Sequence, residues 1–123
     1  MKVLLSIKPE YAESILKGKK KYEFRKNIFR NKDVKTIVIY ATMPVGKVVG
    51  EFEVGEILSS PPVDLWKATR KYAGISRDFF DEYFSKRDKG FAISVKNPKR
   101  YNTPMHLDEL IPGAFPPQSF RYI

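Results

Sequence analysis

The stretch from Lys47 to Leu58 alternates between apolar side chains and small or charged ones. A period of two is what a β-strand with one buried face produces, because successive side chains point to opposite faces of the sheet. Gly50 and Gly55 interrupt the alternation, and glycines inside a strand mark bends or bulges. Since a long strand with bends is typical of a small barrel, this stretch predicts a largely antiparallel β-barrel.

Other segments carry strand signals in shorter form. Runs of β-branched and aliphatic residues that end at proline, glycine or polar residues predict strands. The predicted strands are Val3–Ile7, Tyr22–Phe24, Val34–Ala41 and Gly90–Val95, with a turn at Asn97-Pro98 before a further pairing segment, Tyr101–Leu107. The tail from Pro112 to Ile123 is rich in proline and aromatic residues, so we expect it to pack against the rest of the domain.

Helical spacing of apolar residues appears between the predicted strands. The segment Pro9–Leu16 begins with a proline suited to a first helical turn, and Gly18 suits its C-terminal cap. A second helical segment lies within Pro61–Gly74, Ser76 is a good N-cap for a third helix, and Leu107–Leu110 predicts a single further turn.

The third helix carries four aromatic residues, Phe79, Phe80, Tyr83 and Phe84. Their i, i+1, i+4, i+5 spacing is the pattern of one helix side. A stripe of this kind is either a platform on which nucleobases stack or core packing between the helix and a sheet. The helix-face spacing favours the core.

The order of these elements predicts an α+β fold, a small and mostly antiparallel β-barrel with flanking helices, and we expect residues 1–123 to form one domain. The formal net charge is +9, and residues 1–40 hold 11 Lys and Arg against 4 Asp and Glu. That opening third therefore carries +7 and the rest +2. A basic surface of this kind favours polyanion partners such as RNA or DNA.

The composition excludes several classes of protein. Without cysteine there is no disulfide, no thiolate nucleophile and no cysteine metal site, and the single histidine, His106, excludes a His-rich zinc centre. The phosphate-cradling and dinucleotide-binding glycine motifs are missing, as is the HExxH pair. The apolar run Met1–Ile7 is too short for a signal sequence or a membrane span, so we expect a cytoplasmic protein with no membrane partner. From the missing ligand residues and motifs we also expect no metal and no other cofactor.

The segment Gly18–Lys26 combines a helix-capping glycine, three consecutive lysines and a strand-like alternation. Lys21, Glu23 and Arg25 share one face of the predicted strand. A carboxylate between cations suits a site for an anionic or nucleotide-like ligand, and it is also what an ordinary solvated strand face contains. Helix capping accounts for some of the lysines, because cations are favoured at a helix C-terminus, but it does not account for Glu23 or Arg25.

Six segments, in this order and at this spacing, match one known family. They are Leu5–Pro9, Ile15–Arg25, Tyr40–Pro44, Gly46–Phe52, Gly90–Ile93 and Pro116–Phe120. Together they resemble the ASCH domain, a member of the PUA-like superfamily, over nearly the whole chain. The last segment is similar to the closing signature of small prokaryotic ASCH proteins.

The resemblance implies a small β-barrel with a cleft lined by a Gly-x-Lys-x-x-Glu-x-Arg segment. It also implies binding of RNA or a nucleotide-like ligand, with a link to RNA metabolism or translation regulation. One branch of the family consists of acetylcytidine amidohydrolases, in which a lysine activates a threonine nucleophile. In this sequence Lys20 matches the lysine, but Glu23 stands where that threonine would be, so the nucleophilic hydroxyl is missing.

We therefore expect recognition of RNA or a nucleotide-like ligand in a basic cleft. A carboxylate between Lys21 and Arg25 is expected to stay ionised, accepting hydrogen bonds from base or ribose donors or pairing with Arg25. Arg25 suits a phosphate or a base edge, since its planar fork can bond at two places. The candidate ligand-binding residues are Lys8, Lys21, Glu23, Arg25, Tyr40, Thr42 and Ser119.

Two other functions stay open. A hydrolase would use Lys20 and Glu23 as its catalytic residues, with the pKa of Lys20 lowered by burial or by neighbouring cations. It would be either an amidohydrolase acting on an acylated nucleoside or a metal-dependent ribonuclease, for which Glu23, Glu51 and Glu53 are the candidate ligands. The third function is a module whose basic surface docks a protein partner.

Overall fold

A six-stranded sheet with the strand order β2-β5-β4-β3-β1-β6 organises the protein. The computed structural model describes all residues, 1–123. The strands are β1 (Lys2–Ile7), β2 (Tyr22–Arg25), β3 (Thr36–Ala41), β4 (Lys47–Ser60), β5 (Gly90–Met105) and β6 (Phe120–Tyr122). The helices are α1 (Pro9–Leu16), α2 (Pro62–Thr69), α3 (Arg77–Tyr83) and α4 (Leu107–Leu110), with a 3-10 turn at Arg70–Tyr72 after α2.

The sheet is curved into a half-barrel, and most of its strand pairs are antiparallel. Only β1 and β3 run parallel to each other, joined through α1 and β2. The pairs β2–β5, β3–β4, β4–β5 and β1–β6 are antiparallel. The predicted α+β fold, with a largely antiparallel barrel-like sheet and flanking helices, is confirmed.

The long strand β4 bends where the glycines predicted it. Its register against β5 shifts around Gly50 and again between Val54 and Ile57, which brackets Gly55. A β-carbon at Gly50 would lie 2.5 Å from the carbonyl oxygen of Lys99, so only glycine lets the two strands approach this closely.

The predicted turn at Asn97-Pro98 is wrong. The chain continues through it as β5, and the residues on both sides still pair with β4, Lys96 with Glu53 and Lys99 with Glu51. Asn97 adopts a positive φ of 47°, a conformation that asparagine tolerates better than most residues. The local irregularity is therefore absorbed as a bulge inside one strand, and Tyr101–Met105 pairs as the end of that strand.

The predicted helix ends are confirmed. Helix α1 begins at Pro9, and Gly18 follows its end with a φ of +80°, a value that glycine reaches without strain. At the start of α3 the Ser76 hydroxyl accepts a hydrogen bond of 3.1 Å from the Phe79 backbone N–H. None of the helices is both long and apolar enough to cross a bilayer.

The C-terminal tail packs against the body, as expected. Its strand β6 pairs with β1, and the Phe120 ring packs edge-on against Phe29, with 6.0 Å between centroids. The Tyr122 hydroxyl accepts hydrogen bonds from the backbone N–H groups of Arg30 and Asn31. The tail therefore holds the connection between β2 and β3 in place.

Candidate functional site

A cavity of about 180 Å³, here called the cleft, opens where β1 ends, between α1, β2 and α3. Three of its walls carry charged or aromatic side chains from different parts of the sequence. Among the residues that line it are Lys8, Tyr11, Lys20, Glu23, Arg25, Phe79 and Tyr83. Of the three consecutive lysines, only Lys20 faces the cleft, since Lys19 and Lys21 are exposed.

Lys20 is held in place almost completely out of solvent. Its side chain is 1% exposed, and its ammonium donates a 2.7 Å hydrogen bond to the carbonyl oxygen of Ala73. The same ammonium lies 4.7 Å from the centroid of the Phe24 ring. Gly74, which follows Ala73, has a φ of +70°, and a β-carbon there would come within 2.5 Å of the Lys20 side chain. The turn after α2 is therefore shaped to admit this lysine.

Burial lowers the pKa of Lys20 from its ordinary value of 10.5 to about 8, because a charged ammonium loses its hydration inside the protein. The nearby charge of Glu23 opposes this lowering. Desolvation therefore accounts for the lowered pKa, and the neighbouring cations suggested by the sequence are not needed to explain it. A lysine with a pKa near 8 is neutral in a substantial fraction of molecules at mildly alkaline pH.

Glu23 is also buried, with 6% of its surface exposed. The carboxylate accepts a 3.2 Å hydrogen bond from Arg25, which is one of the two roles that the sequence left open for it. Burial raises the pKa of Glu23, while the charges of Lys20 and Arg25 and the hydrogen bond from Arg25 limit the rise. The alternative interpretation, in which Glu23 lies on an ordinary solvated strand face, is therefore wrong.

Arg25 connects the two edges of the sheet. From the edge strand β2, it donates 3.3 Å and 2.7 Å hydrogen bonds to the carbonyl oxygens of Ser6 in β1 and of Ser119 just before β6. Ser119 is therefore next to the cleft through its backbone, and the hydroxyl of Ser6 donates to the carbonyl oxygen of Pro117. Arg25 thus closes the half-barrel and orients Glu23 at the same time.

The aromatic stripe of α3 is divided between the core and the cleft. Phe80 and Phe84 are buried against Phe24, as expected for core residues. Phe79 and Tyr83 are only partly buried and line the cleft with nearly parallel rings, 10° apart and 6.3 Å between centroids. The core interpretation is therefore right for Phe80 and Phe84, and Tyr83 also packs against that cluster, while Phe79 and Tyr83 in addition line the cleft.

Two lysines lie over the Phe79 and Tyr83 rings that line the cleft. The ammonium of Lys8 is 5.0 Å from the centroid of Phe79, and that of Lys26 is 4.8 Å from the centroid of Tyr83. Both lysines are exposed. Phe79 and Tyr83, together with these two lysines, form what we call the aromatic lip.

The other predicted ligand-binding residues do not line the cleft. Lys21 is exposed, with its ammonium 4.4 Å from the centroid of the Tyr72 ring. Tyr40 is buried in a separate cluster with Leu4 and Val38. Thr42 begins the turn after β3, where its carbonyl oxygen accepts hydrogen bonds from the backbone of that turn.

The three carboxylates considered for a metal site have different partners. Glu23 pairs with Arg25, Glu51 accepts a 2.8 Å hydrogen bond from the hydroxyl of Tyr101, and Glu53 accepts one from Asn97. Nowhere do three or more His, Cys, Asp or Glu side chains form a group that could hold a metal ion. A site built from Glu23, Glu51 and Glu53 is therefore not formed.

Sequence reasoning missed Tyr11, Phe79 and Tyr83 as cleft residues. Tyr11 lies in the apolar pattern of α1, and its ring centroid is 5.6 Å from that of Phe79. The signal available in the sequence was that a stripe of four aromatics, at i, i+1, i+4 and i+5, is wider than one contact surface needs. One i, i+4 pair can then face the core while the other faces a neighbouring cavity.

The pH dependence of stability should report the burial of Lys20. Below pH 8 this lysine is protonated in both the folded and the unfolded chain, whereas between about pH 8 and 10.5 only the unfolded chain keeps the proton. The folded state therefore gains stability as the pH rises through this window, by up to about 3 kcal/mol. Denaturant unfolding from pH 7 to 10.5 should show this gain in the wild type relative to Lys20→Met, with Lys19→Met behaving as the wild type. Parallel curves for the wild type and Lys20→Met would contradict it.

Comparison with known proteins places these features in a family. The family model described as the ASCH domain matches residues 5–99. A protein of Zymomonas mobilis named "ASCH domain-containing ribonuclease" is 32% identical over 123 residues, which covers 98% of this chain and 82% of that protein.

A solved structure and a ribosomal protein extend the comparison. The crystal structure of ASCH from Zymomonas mobilis matches with a TM-score of 0.92 and 30% identity, covering 99% of this chain and 87% of that one. The large ribosomal subunit protein uL22 of Ureaplasma parvum is 29% identical over 98% of this chain, which spans only 39% of that protein.

Proposed function

The chain belongs to the ASCH domain family of the PUA-like superfamily, and from that premise we propose that it binds RNA through the cleft. The observation that carries the proposal is the convergence of Lys20, Glu23 and Arg25 in one cavity whose lining also includes the rings of Phe79 and Tyr83. Buried polar groups with an adjacent stacking surface are the combination that reads a single unpaired base.

The size of the cleft indicates how much of an RNA it takes. Pockets for drug-sized ligands measure about 300–1,000 Å³, and an apolar cavity of about 150 Å³ binds benzene. At about 180 Å³ the cleft has room for one ring-sized group. We infer that a single base enters while the ribose and phosphates remain outside.

The polar and charged residues of the cleft and the aromatic lip then contact different groups of the ligand. A guanidinium has five N–H donors, and three of those on Arg25 bond to Ser6, Glu23 and Ser119, which leaves two for a ligand. The remaining acceptor capacity of Glu23 suits the amino or imino groups of a base edge. Lys8 and Lys26, exposed on the aromatic lip, suit the phosphates on either side of that base.

The names of the relatives support RNA as the ligand. One relative is named a ribonuclease, and the matching part of another lies within a large ribosomal subunit protein. The basic opening third of the sequence, which supplies Lys8, Lys20, Arg25 and Lys26, agrees with a polyanion partner.

A ribonuclease is the second candidate function. It is favoured by the name of the Zymomonas mobilis relative and by Lys20, whose pKa of about 8 suits a general base near neutral pH. That reaction needs a different binding mode, in which the ribose enters the cleft in place of the base, so that the neutral Lys20 amine takes the proton from the ribose 2′-hydroxyl. The 2′-oxygen would attack the adjacent phosphorus to form a 2′,3′-cyclic phosphate. The bond to the 5′-oxygen of the next nucleotide would break, and that oxygen would take the proton now carried by the Lys20 ammonium.

A binding measurement tests whether the cleft takes up RNA. Fluorescence anisotropy with a labelled 12-nucleotide single-stranded RNA should show binding by the wild type, weakened about 10- to 100-fold in Glu23→Gln because a charged hydrogen-bond acceptor is lost. The exposed Glu82→Gln is the matched control and should bind as the wild type does. Absence of binding at low salt, or equal affinity of Glu23→Gln and the control, would reject the proposal.

The same labelled RNA, analysed on a denaturing gel after incubation, separates the two candidates. Cleavage that disappears in Lys20→Met but not in Lys19→Met supports the ribonuclease. Binding without cleavage at pH 7 to 9 rejects the ribonuclease and leaves recognition as the function.

A further inference from the structure

A second and larger cavity lies apart from the cleft and shares no lining residue with it. It measures about 690 Å³ and runs between the β2–β3 connection and the middle of β4. Four cationic residues line it, Arg30, Lys32, Lys35 and Lys96. We call this cavity the loop groove.

The four cations of the loop groove are free of protein partners. All are exposed, and none is among the side chains that form salt bridges or donate side-chain hydrogen bonds. Two carboxylates also line the groove, Glu53 and Glu56, so its lining carries a net charge of +2. Glu53 already accepts a hydrogen bond from Asn97.

Packing shapes the groove on two of its sides. A β-carbon at Gly55 would come within 3.1 Å of the Lys96 side chain, so the glycine leaves room for that chain to lie across β4. On the opposite wall the Tyr122 hydroxyl accepts hydrogen bonds from the backbone of Arg30 and Asn31. Both walls are therefore fixed by packing that leaves the cationic groups facing solvent.

The groove and the cleft have opposite chemical character. In the cleft, Lys20 donates to a protein acceptor, Arg25 has three of its five donors bonded to protein, and Glu23 is buried, an arrangement that selects one shape. In the groove the cations are exposed and unpaired, which suits phosphates, since phosphate contacts position a nucleic acid without reading its sequence.

The two cavities are also adjacent along the chain. Arg25 lines the cleft and Ile28 lines the groove, and three residues span at most about 11 Å. Lys26, on the aromatic lip, lies between them in sequence. The two cavities therefore approach each other near Lys26, which a strand with its base in the cleft would pass on its way to the groove.

We propose that the loop groove binds the phosphodiester backbone of the same RNA whose base occupies the cleft. This inference rests on the proposed function and adds a second contact surface to it. Affinity would then depend on RNA length, because a mononucleotide fills the cleft alone whereas an oligonucleotide contacts both cavities.

The test compares two variants that each lose four positive charges. The groove variant carries Arg30→Gln, Lys32→Gln, Lys35→Gln and Lys96→Gln. The control variant carries Lys67→Gln, Lys86→Gln, Lys89→Gln and Lys99→Gln, at four exposed positions outside both cavities. Binding of a 12-nucleotide oligouridylate and of uridine 5′-monophosphate is measured from 50 to 200 mM salt, after thermal unfolding shows both variants folded.

For the 12-mer, the plot of log affinity against log salt should become shallower by about 3 units in the groove variant, since each phosphate contact on a single strand contributes about 0.7. The control should change the slope by less than 1, and the mononucleotide should bind all three proteins alike. Equal 12-mer slopes for the groove variant and the control overturn the groove inference and leave the proposed function intact. No binding of either probe by the wild type rejects the proposed function and this inference with it. Tighter binding of polyglutamate than of the 12-mer, lost in the groove variant, assigns the groove to an acidic protein and overturns the RNA assignment.

Discussion

Replacing Arg25 with leucine is expected to lower the free energy of unfolding by about 3–5 kcal/mol, the cost of leaving one member of a buried ion pair without its partner. The side chains of Arg25 and Glu23 are 12% and 8% exposed, so the Glu23 carboxylate would lose its charged partner while remaining largely buried. The carbonyl oxygens of Ser6 and Ser119 also lose their donor, and with it the side-chain link between the two edges of the sheet. Urea unfolding followed by circular dichroism measures the change.

Two comparisons separate this explanation from a general effect of losing an arginine. Arg77→Leu removes an exposed pair with Asp81 and should cost no more than about 1 kcal/mol. The double variant Glu23→Gln/Arg25→Leu should be less destabilised than the sum of the single variants, because no uncompensated carboxylate remains. If Arg25→Leu costs as little as Arg77→Leu, or the double variant is simply additive, the ion pair is not what stabilises this edge of the barrel.

The strands of the sheet could be predicted because their signals are local in the sequence. Val34–Ala41 and Lys47–Leu58 carry β-branched runs and alternation that need no tertiary context. The prediction of a turn at Asn97-Pro98 also relied on a local signal, and it was wrong because tertiary contacts outweighed that signal. Pairing with β4 on both sides overrode it, and Asn97 took a left-handed conformation inside the strand.

The candidate site was only partly predictable. The spacing from Gly18 to Arg25 drew attention to a carboxylate among cations, but a strand alternation does not say which lysine is buried. That depends on the turn after α2, where the Ala73 carbonyl and the space above Gly74 accept Lys20. These residues lie more than fifty positions away, so the selection of Lys20 over its neighbours is a tertiary effect.

The barrel closure was out of reach of the sequence for a similar reason. The hydrogen bond from Arg25 to the Ser119 carbonyl joins residues 94 positions apart. Ser119 was singled out for its hydroxyl, whereas the structure uses its backbone oxygen. A backbone carbonyl carries no sequence signature, so no reading of side-chain types would have found this contact.

Phe79→Ala is expected to weaken binding of single-stranded RNA by about 5- to 150-fold, and Tyr83→Ala by a similar amount. The reason is that stacking of a base on an aromatic ring is worth about 1–3 kcal/mol. Both rings are only partly buried, so the loss should appear in affinity more than in stability. Fluorescence anisotropy with the labelled 12-nucleotide RNA measures the first and urea unfolding the second.

The neighbouring position offers a matched control on the same helix. Phe80 is fully buried, with its ring 5.2 Å from that of Phe24 and 5.0 Å from that of Trp66, centroid to centroid. Phe80→Ala should therefore cost about 3–5 kcal/mol of stability, while the molecules that remain folded keep their affinity for RNA. We therefore expect opposite results for the two variants. Phe79→Ala should lose RNA affinity because Phe79 lines the cleft, whereas Phe80→Ala should lose stability because Phe80 lies in the core. Equal affinity of Phe79→Ala and the wild type would mean that the aromatic lip packs against its own lysines and takes no part in binding.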